Sequence, residues 1–205
     1  MTAGPEAAVS REEGSVAKAA LRRAYHTTLR LLHPARRRLA ERDLRTRAPV
    51  RSVLFVCHGN VCRSPYAEYH FRRAMRVRGG MIDCRSAGFI GPGREAPVHA
   101  IEGAFRRGHD VTAHRSELIE ASPLRDADLV VVMAPDQARK YTAGFRPRGR
   151  VLVLGDLDTQ PIVRRTIQDP WNREPAVFDE CFARIERCVE RLAELIDHTS
   201  TEGKE

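Results

Sequence analysis

The chain has 205 residues, 42% of them apolar, and a formal net charge of +8. That is enough for one ordinary domain with an appendage, and it excludes a wholly disordered chain. The longest apolar run covers only 129–134 against the roughly 20 residues of a membrane span, and no apolar signal core follows Met1, so a soluble, cytoplasmic protein is expected.

Five cysteines are too few for a disulfide scaffold, and an odd number suits a reducing compartment. The charge is uneven. Residues 1–50 carry eleven Lys/Arg against five acids, +6, which leaves 24 basic and 22 acidic residues beyond them. A nearly balanced domain argues against nucleic acid as a partner. The division expected is a basic, partly helical extension over 1–50, a domain over 51–198 and a disordered tail over 199–205.

Residues 1–14 show no apolar period and read as disordered. From Ser15 a helical pattern begins, with Val16, Ala20, Leu21, Ala24, Leu29 and Leu32, and Pro34 divides it from a second short helix, Ala35 to Leu44. Packing on the domain, self-association, an anionic membrane surface and an acidic partner all suit this basic amphipathic segment. Because the chemistry lies further on, the segment is expected to tune location or assembly.

Beyond residue 50, strands and helices alternate. Ser52–Cys57 reads as a strand buried on both faces. A helix from Pro65 turns Ala67, Phe71, Ala74 and Met75 inward, and Gly79-Gly80 ends it. Met81–Ser86, Asp128–Met133 and Arg150–Leu154 read as further strands. Pro97–Arg107, Pro135–Tyr141 and a last amphipathic stretch through Phe178, Phe182, Ile185 and Leu195 read as helices. This alternation predicts an α/β fold in three layers, a four-stranded parallel sheet between helices, with its ligand site beyond the strand C-termini.

The first strand runs into Cys57-His58-Gly59-Asn60-Val61-Cys62-Arg63-Ser64, and Pro65 follows. A loop between a strand and a helix start turns backbone N–H groups toward one point, a natural cradle for phosphate. Gly59 and Asn60 tolerate the left-handed backbone that a tight loop needs. Arg63 can grip two phosphate oxygens as a fork, and Cys57 at the bottom is placed for in-line attack. Ser64 can donate a hydrogen bond to that sulfur. A zinc site is disfavoured because Cys57 and Cys62 have no second ligand pair downstream.

The run Val53 to Glu68 closely resembles the active-site segment of low-molecular-weight protein tyrosine phosphatases. The resemblance continues through Asp83–Gly88, Thr112–Ser116 and Asp128–Met133. It implies the four-stranded sheet fold and hydrolysis of phosphotyrosine, on a protein or a small aryl phosphate, through a phosphocysteine intermediate without metal or cofactor. It also implies that Ser86 and His114 support the loop through Asn60, that Asp169 of Asp169-Pro170 is the general acid, and that Cys62 guards Cys57 through a reversible disulfide. The family commonly has tyrosine after Asp-Pro. Here Trp171 stands instead and can stack on a phenol ring, with Phe89 expected as the opposite wall. The rival is thiol-dependent arsenate reduction on the same fold, which needs further cysteines on a mobile segment; Cys84, Cys181 and Cys188 fall in a strand and a helix.

Overall fold

The computed structural model describes residues 5–46 and 49–201. A parallel sheet has the strand order β2-β1-β3-β4, built from β1 (Ser52–Cys57), β2 (Asp83–Gly88), β3 (Leu129–Val132) and β4 (Arg150–Val153). Alternation along β1 sends Val53, Phe55 and Cys57 to one face and Leu54 and Val56 to the other, and both sets are buried. The first face is covered by α2 (Arg63–Val77), α3 (Val98–Arg106) and α5 (Pro175–Thr201). The second is covered by α4 (Pro135–Phe145) and a 3-10 turn at Ile119–Ala121. Tyr66 of α2 stacks on Phe182 of α5 with ring centroids 3.8 Å apart, which locks these two helices together.

This order positions the site. From β1 the chain moves to β2 on one side and then returns to β3 on the other, so the winding reverses at β1. Such a reversal opens a crevice at the strand C-termini, and Cys57 is the last residue of that strand.

The expected elements are present with shifted ends, the largest differences being at the termini. The N-terminal segment is one helix, α1 (Pro5–Thr46), rather than a disordered stretch and two helices. Its first turns are rich in Ala, Glu and Arg, good helix formers, and Pro5 occupies the first position, where a missing N–H costs nothing. Pro34 forfeits only the bond to the carbonyl of Arg30, and docking on the domain on both sides of it, at His33, Arg37 and Leu44, holds the helix through the interruption. Residues 1–4 and 202–205 lie outside the described residues, and α5 continues to Thr201, past the expected start of a tail.

The second half of α1 is built onto the domain. Leu44 and His33 are buried, Arg191 of α5 donates to Glu41 at 2.8 Å, and Arg150 of β4 donates to the carbonyls of Asp43 and Leu44. The last of these satisfies helix-end carbonyls that have no partner within the helix. Further toward the start of α1, Leu21 is 73% and Tyr25 61% exposed. No helix among the described residues is long and apolar enough to cross a membrane.

Candidate active site

Residues 57–63 curl around a single sulfur. The backbone N–H of Asn60 donates to Cys57 Sγ at 3.2 Å, and the hydroxyl of Ser64 donates to it at 3.1 Å. Asn60 makes the turn possible with φ +51°, in the left-handed region that Asn enters at low cost. Its wholly buried side chain then ties three elements together. Nδ2 donates to Ser64 Oγ and Ser86 Oγ, each at 2.9 Å, and Oδ1 accepts from the Glu117 N–H at 2.8 Å. His114 Nε2 lies 2.7 Å from the Asn60 carbonyl. A carbonyl can only accept, so the proton is on Nε2. The family resemblance implies that Ser86 and His114 support the loop through Asn60, and the structure brings all three together.

Space for this network comes from Gly88, the C-terminal residue of β2. A Cβ there would lie 2.9 Å from the Asn60 nitrogen, so only glycine lets β2 approach the loop. Glu68, one helical turn after Ser64, was not singled out from the sequence. It is buried behind the loop and pairs with Arg72 at 2.6 Å; burial pushes its carboxyl up, against the opposing pull of Ser86 and Arg72. The available signal was an acid at an inward position of α2, in line with Ser64 and Phe71.

α2 starts at Arg63, and Cys62 supplies no side-chain cap. Arg63 is itself buried. Nη1 donates to the Ile167 carbonyl at 3.1 Å, Nη2 is paired with Asp169 Oδ2, and Nε has no hydrogen-bond partner among the described residues. The long loop after β4 thus returns Asp169 to the rim of the cradle, 106 residues from Arg63 along the chain. Asp169 Oδ1 accepts from the Trp171 N–H at 3.3 Å, which turns Trp171 back toward the same opening.

Cys57, His58, Gly59, Val61, Cys62 and Arg63 form the floor of a cavity of about 270 Å³, and Ile90, Arg94, Asp169 and Trp171 form its mouth. Trp171 remains 44% exposed there, so it is not an anchor of the core. Phe89 is not at this mouth. It packs on the α4 side of the sheet with Lys140 Nζ 4.4 Å from its ring centroid, and Ile90 lines the cavity instead. The bond from Phe89 N–H to the His58 carbonyl at 2.9 Å anchors the bend that follows β2, and that bend separates the two side chains. Arg94 holds the wall in place by donating to the carbonyls of Gly59 and Ile90 at 2.8 and 3.1 Å.

All five cysteines are free and buried. Burial, with Cys57 beside it, pushes the Cys62 thiol far up, and burial pushes Cys181 up to about 12. Cys84, Cys181 and Cys188 are sealed in the core, which leaves no exposed thiol to relay oxidation as an arsenate reductase requires. Among the described residues no group of three or more His, Cys, Asp or Glu is arranged to hold a metal ion.

A sulfur nucleophile in a strand-to-helix loop, a buried guanidinium and a carboxylate at the rim make up a cysteine-based phosphatase site. Comparison with known proteins agrees: the family model for low molecular weight phosphotyrosine protein phosphatase matches residues 52–202. A probable low molecular weight protein-tyrosine-phosphatase of Ralstonia solanacearum is 32% identical over 144 residues, covering 69% of this chain and 92% of the relative. A protein-arginine-phosphatase of Bacillus subtilis is 30% identical over 143 residues, covering 69% and 93%. The crystal structure of the low molecular weight protein tyrosine phosphatase from T. tengcongensis superposes with a TM-score of 0.63 at 27% identity, covering 70% of this chain and 97% of that one. The chain belongs to the low molecular weight phosphotyrosine protein phosphatase family.

Proposed function

We propose that this protein hydrolyses phosphotyrosine, on a protein or as a small aryl phosphate, through a phosphocysteine on Cys57. The observation that carries this reading is the convergence of Cys57 Sγ, Arg63 and Asp169 on one cavity whose mouth carries an indole. The N–H groups of residues 58–62 and the fork of Arg63 bind the phosphoryl oxygens, so Arg63 Nη2 exchanges Asp169 for the substrate. The Cys57 sulfur attacks phosphorus in line, an S–P bond forms and the ester P–O bond breaks. Asp169 gives its proton to the departing phenolic oxygen. The same carboxylate then takes a proton from water, which attacks phosphorus, breaks the S–P bond and releases phosphate. Ser64, donating to Sγ, stabilises the sulfur as it leaves.

Trp171 and Ile90 wall the slot for the ring, in place of the expected Trp171–Phe89 pair. A second reading, phosphoarginine, is favoured by the Bacillus relative named above; the apolar Val61 and the indole at the cavity support the aryl substrate instead. The domain is residues 51–198, with α5 running on to Thr201, and residues 1–50 are an extension. A reducing compartment, the cytoplasm, suits five unpaired thiols.

The test is turnover of phosphotyrosine and phosphoarginine peptides by the full chain, alongside Cys57→Ser and Arg63→Lys. Serine leaves a protonated hydroxyl and should abolish turnover. Lysine replaces the fork with a point charge and should cost at least about a hundredfold. Activity retained in Cys57→Ser would overturn the mechanism, and a preference for phosphoarginine would overturn the substrate.

A further inference from the structure

The second half of α1 does more than cover the sheet: it reaches the root of the loop that brings Asp169 to the site. Arg37 Nη1 donates to the Thr159 carbonyl at 3.2 Å and approaches the Asp158 carbonyl at 3.5 Å. These are the first residues after the 3-10 turn Leu154–Leu157, where the loop toward Asp169 begins.

From that point a continuous set of contacts runs to the acid. The carboxylate of Asp158, wholly buried, accepts from Arg184 Nε at 3.0 Å and from Arg187 Nε at 3.1 Å. The same Arg184 donates to the carbonyls of Arg164 and Thr166 at 2.7 and 2.9 Å, and so joins the loop's root to its return. The next residue, Ile167, donates to the Met133 carbonyl at 2.9 Å and accepts from Arg63. Asp169 follows two residues on. Asp158, Ile167 and Arg63 are buried along this series, whereas the two carbonyls that Arg184 grips are exposed.

We propose that Arg37 is a positioning residue for the general acid, with α1 acting as a strap that fixes the loop 158–174 so that Asp169 stands over the leaving oxygen. The inference rests on reading Asp169 as the acid. It replaces the expectation that the extension leaves chemistry untouched. The energetic reason is that a 17-residue loop has many alternative paths, and each tie at its root removes some of them.

The test uses the full chain and two substrates. Phenyl phosphate has a poor leaving group and needs the acid, whereas p-nitrophenyl phosphate needs it far less. Arg37→Met keeps the aliphatic stem that packs on the domain and removes the donors. It should lower kcat/KM, which reports the leaving-group step alone, about fivefold on phenyl phosphate, a part of the roughly hundredfold that a general acid supplies, and change kcat/KM on p-nitrophenyl phosphate less than about twofold. Arg37→Lys, which restores a donor, should return the ratio to the parent value. In an Asp169→Asn background, Arg37→Met should add no further selective loss, because the group it positions is gone. An unchanged ratio in Arg37→Met, or a loss that multiplies with Asp169→Asn, overturns the strap while leaving the acid in place. If Asp169→Asn itself shows no leaving-group dependence, the acid assignment fails and the strap fails with it.

Discussion

Replacing Asn60 separates what its side chain holds from what its backbone endures. Asn60→Ala removes three hydrogen bonds, the buried ones to Ser64 and Ser86 and the half-buried one from the Glu117 N–H. At about 1 kcal/mol each, these amount to roughly 3 kcal/mol. Alanine at φ +51° adds about 1 kcal/mol of backbone strain, which glycine does not suffer. Asn60→Ala should therefore lose about 4 kcal/mol of unfolding free energy and Asn60→Gly about 3 kcal/mol, from a total that for such domains is about 5–15 kcal/mol. Both variants should also lose activity together, since Ser64 no longer has a partner holding its hydroxyl toward Cys57. Urea unfolding gives the stabilities, and initial rates on p-nitrophenyl phosphate give the activity. Glycine no more stable than alanine would refute the strain argument. A loss under about 1 kcal/mol in both would show that the network carries little of the fold.

Three further outcomes follow from other parts of the molecule. Mild peroxide should inactivate the protein reversibly, and Cys62→Ser should lose recovery by dithiothreitol if the two loop cysteines pair under oxidation; equal recovery in both proteins rules this out. Burial lowers the proton affinity of His33 and His70, and of His109 to about 4, where the neighbouring His70 adds to the effect. The unfolded chain then binds more protons below about pH 6.5 than the folded one, so stability should fall steadily as pH drops from 7 toward 4; a urea midpoint equal at pH 7 and pH 5 contradicts this. Gly155→Ala would place a methyl 1.9 Å from the Arg165 carbonyl and so push the acid loop away from the 3-10 turn. Its Tm should drop by several degrees, with activity on phenyl phosphate falling further than on p-nitrophenyl phosphate; parent-like values on both counts show that the loop can shift without consequence.

Local order along the chain is written in its amino acids. Short apolar strands, helix periods and a loop with Gly59, Asn60 and Pro65 at its joints are set by residues near each other in the chain, so the α/β alternation and the phosphate loop were legible there. The pairing of Asn60 with Ser86 and His114, and the choice of Asp169, came instead from resemblance, because residues 26 to 106 positions apart meet only after the sheet has formed. Tertiary structure alone decided the rest. Phe89 and Ile90 are adjacent apolar residues, and the bend after β2, where Phe89 bonds His58, turns one to the sheet and the other to the cavity. Pro34 is a local helix breaker, overridden by the contacts of α1 on either side of it. Arg37 looks like any other charge in an arginine run until the turn after β4 brings the Thr159 carbonyl against it. A pattern along one chain records which residues prefer to be buried or turned, whereas which of them meet is decided by packing between segments far apart in sequence.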